Sequence, residues 1–369
     1  MNKQQVSTLV LLAFLSGCQQ QEAGDEQWSS IHNRGNATPV APTTESAPPP
    51  NVMLQVQQPS QGDPNLGAML NLTESAIGVL EQAAVADYAQ LRANSIESMH
   101  PLPELAEMHA RQGLVDDNRG VRFVAAMTIG RLKLCDSSHF VEPLLLDESE
   151  SVKAAAIFAL RMCGRQVDLN PLADMMRSDQ PEVRANAAMV LGLLGDKSAA
   201  PMIEQAAGRG LELSSAGRAN AVDLQLAEAL LMLGRTEQVH TIRAKLVAPP
   251  ENQELSAMAA VILGRLGDEG SAGVLERLIF AAGDERRPAE VRMACTMALA
   301  QLGRPVELSW ISEYFGSTRP ELRQQAALAL GEIGGEQAYA HLQRLLEDEN
   351  PLVQVAAAGS ILKLETGRN

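Results

Sequence analysis

The residues of this 369-residue chain that could do chemistry are 6 His, 4 Cys and two recurring sets of charges. The His are followed by Asn33, Pro101, Ala110, Phe140, Thr241 and Leu342, so no His-Glu pair is available to ligate a metal. There is no Gly-Lys dipeptide, hence no P-loop, and neither Cys-x-x-Cys nor His-Glu-x-x-His occurs. No catalytic residue, metal or cofactor is therefore expected. The charges are more regular. Arg92, Arg122, Lys153, Arg184, Arg292 and Arg323 recur one residue after a repeating anchor, and Asp87, Asp117, Glu148, Asp179, Glu251 and Glu349 recur four residues before it. Two readings are open: a basic ladder for an anionic ligand, or ion pairs that knit neighbouring segments together.

Composition narrows the chemistry further. Lys and Arg total 30 against 45 Asp and Glu, a net charge of −15, which argues against nucleic acid as a partner. Aromatic residues are 3% of the chain, too few for stacking platforms or β-sandwich cores. Apolar residues make up 46%, many of them Ala, Leu and Met, which favours helices.

The elements that must position these residues repeat themselves. Segments anchored at Leu91, Val121, Val152, Val183, Gln225, Leu255, Val291, Leu322 and Val353 follow at intervals of 30, 31, 31, 42, 30, 36, 31 and 31. Four residues after the anchor stand Ser95, Ala125, Ala156, Ala187, Ala229, Ala259, Cys295, Ala326 and Ala357, and a large apolar residue follows four later. Small at +4 and large at +8 share one helix face, so the small residue lets a neighbouring helix approach. Gly at +12, as in Gly195 and Gly267, suits the left-handed cap that ends the helix. A shorter apolar helix precedes each anchor, for example residues 200–206 and 338–346. Pro181, Pro320 and Pro351 sit beside acidic residues where the second helix begins.

Units such as Pro181-Glu182-Val183-Arg184-Ala185-Asn186-Ala187-Ala188 resemble HEAT-like repeats of the bilin-lyase type. The resemblance implies an all-α fold, an α-solenoid of about nine helical hairpins over residues 73–369 with a period of about 31. Some HEAT-like proteins are di-iron hydroxylases that use His-Glu pairs, which this chain lacks. The alternative activity that the resemblance implies is that of a cofactor-handling enzyme of the bilin-lyase type, which would need acid–base groups converging on a pocket.

Ahead of the repeats, Lys3 and the apolar stretch from Val6 to Leu15 end in Leu15-Ser16-Gly17-Cys18, which resembles the lipobox of bacterial lipoproteins. The resemblance implies a signal peptide over residues 1–17 and lipidation of Cys18. Gln19 in place of Asp favours the outer membrane, with the chain facing the periplasm. Residues 18–72 form a Pro- and Gln-rich tether expected to be disordered, with an r.m.s. span of roughly 40 Å.

Three sets of side chains are candidates beyond the ladders. Phe123, Met127, Phe158, Met189, Met293 and Met297 occupy +2 and +6, away from the +4/+8 face; they either line a concave groove or pack between repeats. The long intervals place extra residues at 208–223 and 281–290, expected as loops on one edge that carry Arg209, Arg218, Arg286 and Arg287. Cys135 and Cys163 lie near the ends of helices in adjacent repeats, where an oxidising compartment would permit a bridge and sequence leaves it open. Cys295 fills an Ala slot and is expected to be buried, whereas His100, His109 and His139 are expected at helix ends or linkers. The reading overall is a lipid-anchored, non-enzymatic scaffold or adaptor for a protein or peptide partner, touching the membrane through its lipid only.

Overall fold

The computed structural model describes residues 64–207 and 216–367, and the regular structure among them is helical throughout. Nine hairpins follow one another among these residues, each with an outer element and an inner helix. The first four are α1 (Pro64–Ala84) with α2 (Ala89–Ser98), α3 (Pro103–Gly113) with α4 (Arg119–Leu132), α5 (Ser138–Val141) with α6 (Glu150–Met162), and α7 (Asn170–Met175) with α8 (Pro181–Leu194). The next three are α9 (Ala200–Ala206) with α10 (Ala216–Met232), α11 (Gln238–Lys245) with α12 (Gln253–Leu266), and α13 (Ala272–Phe280) with α14 (Ala289–Gln301). A 3-10 turn (Ile311–Tyr314) with α15 (Pro320–Ile333), and α16 (Gly335–Leu345) with α17 (Pro351–Thr366), complete the set. The fold is an all-α solenoid.

Local chemistry accounts for the inner helices. Pro181, Pro320 and Pro351 occupy their first turns, where a missing N–H costs nothing. The side chains of Asn118 and Asn350 accept from the N–H groups of Gly120 and Leu352. Gly195 and Gly267 end α8 and α12 with φ of 75° and 73°. Lys133 holds the same position after α4 at φ 53°, the one non-Gly residue with positive φ among the described residues. Two boundaries differ from expectation. Helix α1 already begins at Pro64, inside the expected tether, and residues 216–223 extend α10 instead of forming a loop. Pro suits a first helical turn as well as a tether, and the Ala-rich run 216–221 is a good helix former.

Small residues set the spacing of the inner helices. A Cβ added to Gly130 would lie 2.8 Å from the Cα of Ala159, and one added to Gly264 would lie 2.5 Å from the Cα of Ala298. At Gly331 the same atom would meet Ser360. The apolar core runs through the contacts between α2, α4, α6, α8, α10, α12, α14, α15 and α17 in turn. It does not stop there. Helix α17 packs on α1 and α2, burying Leu80, Leu91 and Met99 with Leu342, Val353 and Ile361, and a Cβ on Gly359 would lie 2.8 Å from the Cβ of Ser98. The solenoid closes into a ring whose first and last repeats cover each other.

Gly130, Gly264 and Gly331 at +9 oppose Ala159, Ala298 and Ser360 at +7, whereas Gly192 at +9 meets Ala229 at +4 and Gly359 at +6 meets Ser98 at +7. The left-handed Gly234 that ends α10 stands nine residues after Gln225 where the other caps stand twelve after their anchors, so the fifth anchor falls at Val222, three residues earlier than expected. Ala187 and Ala326 are fully buried in the inner layer. Ala187→Leu or Ala326→Leu should destabilise by about 1–3 kcal/mol through overpacking, and Val115→Leu, on an exposed turn, should change stability by less than about 0.5 kcal/mol. Chemical denaturation of the three variants checks this, and equal effects would mean the register is misassigned.

Candidate functional site

The ladder cations sit in the first turn of each inner helix, and Arg92, Arg122 and Arg323 reach the next repeat. Arg122 donates from Nε and Nη2 to the two carboxylate oxygens of Asp147 at 2.7 and 3.0 Å. Arg92 makes the same fork with Asp116 at 2.8 and 2.7 Å, and Arg323 with Asp348 at 2.8 Å for both bonds. The third nitrogen of each fork turns back to carbonyls of its own hairpin: Arg92 to Ala86 and Asp87, Arg122 to Asp116 and Asp117, Arg323 to Ser317. Arg184 likewise donates to the carbonyl of Ser178 at 2.7 Å. Arg292 departs from the pattern: its Nε donates to the Ile279 carbonyl, and its guanidinium lies 4.4 Å over the Trp310 ring.

Arg92, Arg122 and Arg323 therefore stitch their repeats to the next, whereas the bonds from Arg184 to Ser178 and from Arg292 to Ile279 stay within one hairpin. The principal acid is one residue earlier than expected, five before the next anchor. Asp117, Glu148 and Glu349 are secondary partners at 3.2, 3.6 and 3.3 Å, and they point outward. The reason is local. Asp116, Asp147 and Asp348 each accept from the backbone N–H two residues on, at Asn118, Ser149 and Asn350, and this turn aims the carboxylate at the preceding repeat. Burial pushes the Asp147 carboxyl upward, but the Arg122 fork and the Ser149 N–H outweigh it and hold the group below the ordinary range; Asp348 behaves the same way with Arg323 and Asn350.

The inner face is closed. Phe123, Met127, Phe158, Met293 and Met297 are buried, and Met189 is half-buried, so of the two readings these residues follow the second and pack within the wound ring. Non-adjacent repeats also come within reach: Arg119 of the second approaches Glu182 of the fourth at 3.7 Å. Buried polar residues gather at the hub. Arg265 pairs with Glu228 across the joint between α12 and α10, and Arg131 feels Glu97 as well as Arg265 and Glu228. His100 bonds Thr128 Oγ1 at 2.9 Å, and burial, aided by Arg131, lowers its pKa to about 3, so the ring is neutral. His100 is thus turned into the hub, and His109 is buried in α3; only His139 of the three lies exposed. A crevice of about 10 Å³ beside Glu97, His100, Phe123, Met127, Arg131 and Met189 has room for about one water.

A cleft of about 690 Å³ opens between residues 306–312 and the start of α16, lined by Glu307, Ser309, Ser312, Glu336 and His341 among others. His341 is half-buried, tilted against Phe315 at 4.3 Å, and its pKa is lowered by burial and by Arg344. Among the described residues no group of three or more His, Cys, Asp or Glu could hold a metal ion. Cys135 and Cys163 form a disulfide, Cα atoms 5.2 Å apart, that staples two consecutive inter-repeat loops on the rim opposite the ladder. Cys295 is fully buried, its thiol pushed up to about 12 by burial, and so stays protonated.

Of the expected cationic edge, Arg286 is exposed, and Arg287 is half-buried and donates to the Ala248 carbonyl at 3.1 Å. That bond places the seventh hairpin's turn against the sixth. Cys18, the tether up to residue 63, Arg209 and the side chain of Arg218 lie outside the described residues. No described helix is long and apolar enough to cross a membrane.

A family model for HEAT repeats matches residues 140–212 and 284–363, which cover the third and fourth hairpins with part of the fifth, and most of the seventh to ninth. HEAT repeats are thus found in two regions of the all-α solenoid. Among solved structures, that of human deoxyhypusine hydroxylase in complex with glycerol is similar at 18% identity, over 82% of this chain and 99% of that one, with a TM-score of 0.35. A likeness that slight carries no argument. No curated protein matches.

The ladder predicts a one-residue contrast. Asp147→Ala leaves the Arg122 fork unpaired and should cost about 2–4 kcal/mol, whereas Glu148→Ala, beside it and exposed, should cost less than about 0.5 kcal/mol. Because the folded-state pKa of Asp147 is depressed, its stabilisation is complete above the ordinary carboxylate range and is lost as pH falls through the depressed value. Urea melts between neutral and acid pH should show wild type losing stability on acidification and Asp147→Ala losing less.

Proposed function

We propose that this chain is a lipid-anchored, periplasm-facing adaptor that holds a protein or peptide partner and catalyses no reaction. The observation that carries the reading is the rim formed by the hairpin turns. The residues recurring in every repeat either fill the joints or form the ladder, and what they leave outward is a periodic surface: Asp87, Asp117, Glu148, Asp179, Glu251 and Glu349 are all exposed along it. An extended surface with an exposed acid in six of the nine repeats suits a macromolecular partner better than a small substrate. His100, turned into the hub and neutral, and the protonated, buried Cys295 both lie away from the open cleft beside His341. The lipobox-like Leu15-Ser16-Gly17-Cys18 supports anchoring through Cys18, and the Pro-rich tether would let the ring stand off an outer membrane. Arg286, exposed on the turn rim, is a cationic candidate for an acidic patch of that partner, and Arg209, Arg218 and Arg287 are the further candidates that the sequence offers.

Two measurements test the reading. Cys18→Ala should move the chain from the membrane to the soluble fraction with its melting temperature unchanged; retention in membranes after high-salt washing would contradict the anchor. Affinity capture of the full chain from solubilised membranes should recover a stoichiometric protein partner, and Arg286→Glu should weaken that capture without changing the melt. Recovery of no protein partner would contradict the adaptor.

A further inference from the structure

The first three hairpin turns expose apolar residues at one register. Six residues before the anchor, Val85, Val115 and Leu146 are 70%, 84% and 89% exposed. A single exposed apolar side chain is ordinary, but three at the same position of consecutive repeats make a row. The fold does not require them. At the same register the fourth repeat has Arg177, the eighth Gly316 and the ninth Glu347, and Arg177 and Glu347 are exposed in turns of the same kind. Val247 and Phe280, each 53% exposed, also stand at the hairpin turns of the sixth and seventh repeats, but the tips six residues before the anchor form an unbroken row only in the first three.

A carboxylate stands two residues beyond each tip: Asp87, Asp117 and Glu148. The side chains of Asp117 and Glu148 are 94% and 88% exposed. Because Asp116 and Asp147 already occupy the forks of Arg92 and Arg122, each of these two turns brings two carboxylates to one guanidinium. The row is thus apolar with a net negative margin.

We infer that this row, on the turns of the first three repeats, docks a cationic protein segment that places an apolar side chain on each of Val85, Val115 and Leu146. Packed helices lie about 8–10 Å apart, so the tips recur at about that interval. An extended segment spans about 10 Å every three residues, which matches apolar residues at every third position with Lys or Arg between them. Charge decides among occupants. The chain's own segment between Gln19 and Asp63 has Arg34 as its only Lys or Arg, a second copy brings a net charge of −15, and anionic lipid would be repelled by the same carboxylates. The inference rests on the adaptor reading and names its partner's chemistry.

The probe is a fluorescein-labelled peptide with Leu at every third position and Lys between, titrated with the full chain and followed by anisotropy. Wild type should bind it, and Val115→Ser with Leu146→Ser should weaken binding by about tenfold or more at an unchanged melting temperature. Asp117→Asn with Glu148→Gln should weaken it too and flatten its salt dependence. Peptides with Glu for Lys, or Ser for Leu, should not bind. Equal binding by wild type and the Val115→Ser, Leu146→Ser variant would overturn the inference, as would absence of peptide binding. Full chain carrying Cys18→Ala should not sediment with phosphatidylglycerol vesicles; sedimentation lost on Val115→Ser, Leu146→Ser would assign the row to lipid and overturn it. A membrane-captured partner held equally well by the row variant would leave the adaptor standing and retire the row, whereas failure to capture any partner would retire the adaptor itself.

Discussion

Close approach between neighbouring inner helices is the constraint on which the rest of this structure depends. Gly130, Gly264, Gly331 and Gly359 each face a small residue of the next inner helix, with no room for a Cβ between them. Such joints bring helices near the short end of the usual interaxial range, and the tight winding they permit returns the last helix to the first. Closure has an energetic consequence. An open solenoid must cover its terminal repeats with polar caps, whereas here Leu80 and Met99 of the first repeat are buried by Leu342 and Ile361 of the last. Any loosening of a joint is felt at the seam.

The same tightness moves function outward. A wide solenoid would have offered a concave groove, but in this ring Met127 and Met297 are buried, and the hub holds charges balanced among Glu97, Arg131, Glu228 and Arg265. One joint differs in character. The apolar core divides within α10: Leu226, Ala229 and Leu230 pack with the preceding repeats, Leu224 and Ala227 pack with α12, and the Glu228–Arg265 pair spans that same joint. What remains available to a partner is the rim of hairpin turns, where the Arg–Asp forks fix the backbone and the residues beside them are free to vary.

Much of this was legible in the sequence, for reasons of range. Helix register, the cap at Gly195 and Gly267, and the pairing of ladder cations with acids depend on contacts within one repeat or between neighbours, and a period of about 31 repeats those contacts until they stand out. The choice of acid failed by one residue because the fork needs the Asp that also closes a turn onto Asn118, Ser149 or Asn350. The recurrent Asp-acid-Asn/Ser run at 116–118, 147–149 and 348–350 is the signal that would have found it. Closure was out of reach. It depends on a small rotation per repeat summed around the chain, and no local pattern at Ser98 or Gly359 announces that they meet. The burial of the +2 and +6 residues followed from the same summed winding, as did the turning of His100 into the hub.

The central claim is therefore the seam, and a covalent trap tests it most directly. Ser98→Cys with Gly359→Cys places two thiols on residues whose side chains adjoin only if the ring is closed. Mild oxidation of the full chain at high dilution should give a monomeric, faster-migrating species on a non-reducing gel, with a linkage between the peptides containing positions 98 and 359 found by mass spectrometry. Two free, reagent-accessible thiols with no such linkage under those conditions would contradict the account.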